Sequence, residues 1–295
     1  MSGGADVVVT TDADSVLGAI RRGLRENRLL AIGLLMALAI VVIGLLAPAL
    51  APFAPEATHP LQTLQAPSAA HWFGTDQLGR DLYSRALFGT RISPVIAFLV
   101  LAISCGVGIP LGIVAGYYGG LVDEVIMRIT DVFLAFPALL LALALAAVLP
   151  PSLGSVTLAV SVTWWPWYTR LVRGQAASVA GRPLVEGAKA SGVSDLRILL
   201  RHVLPNSLTP LVVQVSLDVS AVILTVSALS FLGLGAQDPT PEWGLMVSQG
   251  QLYFPGQWWL VTFPGLAIVM TAVAFNLLGD GLRDVLDPRR VVPTR

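Results

Sequence analysis

The chain has 295 residues, 55% of them hydrophobic and 12% charged, with a mean hydropathy of +0.76 and a formal net charge of zero. Soluble globular domains carry about a quarter charged residues, so lipid rather than water is the expected solvent. The charge balance leaves no basic surplus for nucleic acid, the single cysteine, Cys105, allows no internal disulfide, and three scattered histidines (His59, His71, His202) form no metal-ligand cluster.

A bilayer core about 30 Å thick accepts roughly 20 apolar residues per helical span. Runs free of Asp, Glu, Lys and Arg therefore mark the expected spans. Residues 1–28 read as an N-terminal tail, cytoplasmic and disordered over 1–20. Arg21-Arg22 and Ala49-Leu50-Ala51 flank the first run like a secretory signal, but Leu29–Ala47 exceeds the roughly 7–15 apolar residues of a cleaved signal core. The first span is Leu29–Pro55, ended by Pro48, Pro52 and Pro55, and an outer loop follows to residue 91.

From Ile92 to Val122 runs the second span, closed by Gly119-Gly120. Val132–Thr169 is too long for one helix and reads as a hairpin of spans three and four, broken at Pro150-Pro151. Leu208–Gly235 is span five, interrupted by Asp218, and span six starts near Trp258. The core therefore covers 92–282, with a cytoplasmic loop at 172–207 and a tail at 283–295. With the N-terminus inside, fifteen of the eighteen basic residues fall on the cytoplasmic side and only Arg80, Arg85 and Arg91 outside. This positive-inside bias predicts a multi-pass protein with both termini cytoplasmic. Trp164, Trp165, Trp167 and Tyr168 suit either the inner headgroup level or a packed core.

A transporter needs an energy source, and this chain lacks one. Phosphate-cradling loops read G-x-x-x-x-G-K-[ST], whereas the only lysine, Lys189, is followed by Ala190. No ATPase motif, no cofactor site and no clustered nucleophile and base are present to suggest an enzyme. Only Asp218 lies deep in a span, against the several ionisable groups or broken helices of ion-coupled carriers.

The loop segment RPLVEGAKASGVSDLRILLRHVLPN, Arg182–Asn206, reads as two short helices. Pro183 suits a first turn, Gly192 can take a helix-ending left-handed conformation, and Ser194 can cap the second helix. Leu196, Leu199, Leu200, Val203 and Leu204 recur at helical spacing, so the sequence predicts an apolar stripe packed on the spans and a stop at Pro205. The first helix instead offers Gly187, Ala188, Ala190 and Ser191 beside Glu186 and Lys189, and such small side chains admit a close partner.

This loop resembles the EAA motif of ABC importer permeases, EAA-x3-G-x9-I-x-L-P. Glu186, Ala188, Gly192, Leu204 and Pro205 match in register, while Gly187 replaces the second family residue and His202 the isoleucine. HWFGTDQLGRDLYSRALFGTRIS (71–93) and LSFLGLGAQDPTPEWG (229–244) narrow the resemblance to the C-type, dipeptide permease-like subunits of dipeptide, oligopeptide and nickel importers.

The resemblance implies an all-helical integral membrane protein of six transmembrane helices with a MetI-like permease fold, in a bacterial inner membrane. It implies a second homologous permease as heterodimer partner, two cytoplasmic ATPase subunits that bind ATP and Mg, and an extracytoplasmic substrate-binding protein. The ATPase would dock on Glu186, Gly187, Ala188, Lys189, Gly192, Leu204 and Pro205. Short peptides are the implied substrate, with nickel or haem as same-fold alternatives and a secondary transporter or channel as a different class.

Asp238, Glu242 and Trp243 would contact the binding protein or merely brace a rigid loop. Arg80, Asp81 and Asp76 suit an ion-pair network better than a docking surface. An acid at a helix centre costs roughly 2.5–3.5 kcal/mol on insertion scales, so Asp218 needs a partner or water. Asp218 and Asn276 are assigned to the translocation path, where Asp218 either meets a peptide ammonium or bonds a serine, a threonine or Asn276.

Overall fold

The computed structural model describes residues 27–286. The tail expected over 1–20 lies outside them. Among the described residues all regular structure is helical, apart from one isolated β-bridge between Thr75 and Asp81.

Helix α1 (Arg28–Leu50) is capped by Asn27, whose side chain accepts from the amides of Leu29 and Leu30. It is apolar on every face, as a helix in lipid should be. Short α2 (Leu82–Gly89) is capped by Asp81, and α3 (Ser93–Tyr118) ends at Gly119, φ +64°. Helices α4 (Gly120–Leu134) and α5 (Ala138–Val148) follow, then α6 (Leu153–Ala180), capped by Ser152. The loop holds α7 (Pro183–Ala190) and α8 (Asp195–Ile198), and a π-helical turn at Leu199–Val203 runs into α9 (Leu204–Phe231). Helices α10 (Trp243–Gly250) and α11 (Trp259–Leu286) complete the described residues.

Among the described residues four segments are long and apolar enough to cross a membrane: α1, Leu82–Tyr118, Pro210–Phe231 and Trp259–Val285. The pair α4 and α5, bent by 83° at Ala135–Pro137, makes a fifth if counted as one span. Six were expected. The shortfall is α6, whose 28 residues reach about 42 Å but carry Trp164, Trp165, Trp167, Tyr168 and Arg170 in the middle. The hairpin break falls at Leu149–Ser152 as expected, while the bend before it, at Pro137, was not foreseen.

The most extensive contact joins α3 to α6. Gly108, Gly112 and Gly116 form its seam: a Cβ on each would lie 2.7, 2.6 and 2.4 Å from the carbonyl oxygens of Trp165, Thr169 and Arg173. Small residues four apart let helix backbones touch where lipid provides no hydrophobic drive for association. Elsewhere α11 packs against both α1 and α9, and the Ser220 hydroxyl donates to the Ala272 carbonyl at 2.7 Å.

Candidate functional site

The loop after α6 presents α7 outward. Glu186, Gly187 and Lys189 are exposed, Ala188 is half-buried against the core, and Val185 is the buried anchor. A Cβ at Gly187 would meet nothing within 4 Å, so this surface is open to a partner's backbone. Gly192 has φ +75°, the left-handed conformation its position required. Ser194 stands at the cap position of α8 but makes no side-chain capping bond.

The expected leucine stripe is corrected. Ile198, Leu199 and Val203 are the buried face, whereas Leu196 and Leu200 are 67% and 58% exposed. For Leu200 the cause is the π-helical turn, whose wider winding shifts the register by which i, i+3, i+4 spacing assigns a face, while Leu196 lies before that turn in α8. Pro205 does not stop the helix either. It sits in the first turn of α9, where its missing amide leaves no orphan donor, and Leu204 continues the helix at half-burial. The Asn206 side-chain amide donates to the His202 carbonyl at 2.6 Å, and the Leu204 amide to the Leu199 carbonyl.

Between α6 and α9, Asp218 borders an open cavity of about 550 Å³ with Trp164, Trp167, Arg170, Leu171 and Gln214. The Tyr168 hydroxyl donates to its Oδ2 at 2.7 Å and the Gln214 amide to its Oδ1 at 2.9 Å. Asn276, expected as a partner, instead lies exposed on α11. Arg170 reaches Asp131 at 2.5 Å, and Arg173 forks onto Asp123, pairing α6 with α4. Sequence reasoning missed Tyr168, Gln214 and Arg170. Gln214 was detectable, because it stands four residues before Asp218 on one helical face.

In the loop between α1 and α2 Arg80 is wholly buried. Its Nε donates to Asp76 at 2.6 Å and its Nη1 to Asp238 at 2.7 Å, joining this loop to the segment after α9. Arg85 adds bonds to the carbonyls of Pro55 and Pro239, and Asp81 takes His71 Nδ1 at 2.8 Å. Burial pushes the Asp238 carboxyl up, but hydrogen bonds from Arg80 and Gln249 outweigh it and hold it below the usual range.

Two residues assigned to the binding-protein face are not on the surface. Glu242 is buried as the cap of α10, accepting from the amides of Gly244 and Leu245, and burial pushes its carboxyl up despite those bonds. Trp243 is buried against Gly89 and donates to the Ala86 carbonyl at 3.0 Å. Both brace the loop from within, and of the three only Asp238 keeps a half-exposed side chain.

A bundle of membrane helices with an open cavity between α5, α6 and α9 that Asp218 borders, and a small-residue helix exposed on a loop, defines the class of membrane transport components. The family described as "Binding-protein-dependent transport system inner membrane component" matches residues 108–292, and the "N-terminal TM domain of oligopeptide transport permease C" matches residues 15–67. The chain belongs to the family of binding-protein-dependent transport system inner membrane components. It is thus the membrane-embedded permease part of such a system and not the ATPase.

Relatives include the dipeptide transport system permease protein DppC of Alkalihalophilus pseudofirmus, 43% identical over 90% of this chain and 88% of that one. The probable D,D-dipeptide transport system permease protein DdpC of Escherichia coli is 49% identical over 82% and 81%. The glutathione transport system permease protein GsiD of Pectobacterium atrosepticum is 43% identical over 91% and 89%. Among solved structures, a chain of the MetNI methionine ABC transporter in an inward-facing conformation shares the fold. Its TM-score is 0.54 at 16% identity, covering 68% of this chain and 96% of that one.

Proposed function

We propose that this chain forms half of the translocation pathway of an ATP-driven importer of short peptides. The observation that carries the reading is α7, whose Glu186, Gly187 and Lys189 stand exposed beside an open Gly187 surface. An ATPase subunit docks there, with Gly192 setting the turn behind it. A second homologous permease encloses the pathway from the other side, and two ATPase subunits, which bind ATP and Mg, drive alternating access. The binding protein delivers substrate to the outer face, where Asp238 is the accessible member of the assigned trio. Both termini lie in the cytoplasm, and α6 is the remaining span, its aromatic residues turned toward the cavity and the packed core. Asp218 lines the path, and the peptide-transport names of relatives at 42–49% identity support the substrate class.

Glu186→Lys tests the docking site. Losing an interface hot spot costs about 2 kcal/mol or more, equivalent to roughly thirtyfold weaker association. Membrane level should hold while recovery of the ATPase subunit with the purified permease falls by about that factor. Normal recovery and normal substrate-stimulated hydrolysis would remove Glu186 from the docking surface.

A further inference from the structure

Two helices of the exposed loop converge on one side chain. Tyr117, at the end of α3, is 7% exposed. Lys189 of α7 holds its ammonium 4.2 Å from the centre of the Tyr117 ring. The Tyr117 hydroxyl donates to Oδ1 of Asp195, the first residue of α8, at 2.6 Å. One ring is therefore gripped by a cation from one loop helix and a carboxylate from the next, and the charge-assisted bond to Asp195 is the stronger of the two contacts.

Apart from Val185 and Ala188, which pack on the core, backbone continuity ties α7 to it through the single turn at Gly181 that follows α6. The contacts with Tyr117 attach it to a second span. Beyond Tyr117 the helices are closely packed. The glycine seam brings α3 and α6 into backbone contact, and at its deep end a Cβ on Gly108 would lie 2.7 Å from the Tyr168 Cβ. Tyr168 is the residue whose hydroxyl holds Asp218 on the cavity wall. A contiguous series of packed contacts thus runs from the exposed loop to the cavity acid, one physical route along which coupling between distant sites is carried.

We propose that Tyr117 is the positioning residue that passes movement of the loop into the paired helices α3 and α6, and through Tyr168 to the cavity. The proposal rests on the reading of α7 as the ATPase docking site. Lys189 and Asp195 orient Tyr117 and touch no substrate.

The test uses the full complex, with both permeases, both ATPase subunits and the binding protein, reconstituted in lipid. Tyr117→Phe keeps the ring and removes only the bond to Asp195, and Asp195→Ala removes it from the other side. Each should leave ATPase-subunit recovery unchanged and lower both peptide-stimulated hydrolysis and peptide moved per ATP by about tenfold. The double variant should be no worse than the more affected single, because both remove one interaction. Asp195→Asn, which retains an acceptor, should restore most of the activity.

Full stimulation in both single variants would overturn the proposal. So would additive losses, or a parallel loss of ATPase recovery, which would make Tyr117 part of docking instead of transmission. If Tyr117→Ala fails to insert, the phenylalanine variant still decides. Failure of the docking reading shows separately, as normal ATPase recovery in Glu186→Lys.

Discussion

Asp218 stands near the middle of α9, where an unpartnered carboxylate would be costly. The two donors that hold it leave its remaining lone pairs facing the cavity. A carboxylate offers an ammonium what a neutral amide cannot, and the difference grows where water is scarce. Asp218→Asn keeps an oxygen for Tyr168 or Gln214, so the bundle should assemble at normal level. Uptake of peptides with a free amino terminus should fall by about tenfold, in line with losing a charge-assisted bond. Measured uptake equal to that of the parent would assign Asp218 a purely structural role. Arg80 illustrates the opposite arrangement, a buried charge whose donors go to Asp76, Asp238 and Gln249. Removing the buried partner, Asp76, should cost about 3–5 kcal/mol, as breaking a buried pair does.

At the scale of the element, the stretch Asp195–Phe231 shows how one irregular turn redistributes a helix's faces. The π-helical turn at Leu199–Val203 buries Ile198, Leu199 and Val203 and leaves Leu200 outward. Placing a charge at Val203 would set an unpaired carboxylate in a fully buried position, and Val203→Asp should destabilise by roughly 4 kcal/mol or more. Leu200→Asp should change stability by no more than about 0.5 kcal/mol, as exposed substitutions do. Thermal unfolding of the purified permease separates the two. Equal destabilisation would show that the regular helical spacing, and not the π-helical register, governs this segment. The seam of Gly108, Gly112 and Gly116 is the other element-scale device, and its spacing is readable in GVGIPLGIVAGYYGG (106–120).

For the whole molecule the open quantity is the course of the chain through the bilayer. Reporter fusions should signal outside at Pro60, Ser152 and Leu245, and inside at Gly120, Ala190 and Arg295. The bent pair α4 and α5 and the polar-aromatic α6 make the middle of the chain decisive. An outside signal at Ala190 would break both the six-span course and the docking site, whereas one at Ser152 supports α6 as a full crossing. The arginine distribution sets this expectation independently of the helices.

Apolar run length and punctuation alone determined the membrane class, the starts of α1, α3 and α11, the break at Pro150-Pro151 and the turn at Gly192, because these depend on local chemistry, whereas Pro48, expected to end the first span, lies inside α1. The loop's match in spacing was legible for the same reason. What tertiary structure decided was every property set by neighbours distant in sequence. Glu242 and Trp243 carry the same residue types in a docking loop or a buried brace, and only the approach of Ala86, Gly89 and Ser93 makes them the latter. Asp218 announced that it needed a partner but not that Tyr168, fifty residues earlier, would supply it. The convergence of Lys189 and Asp195 on Tyr117 has no sequence signal at all, since a cation, an acid and a ring acquire joint meaning only when packing brings them within a few ångströms.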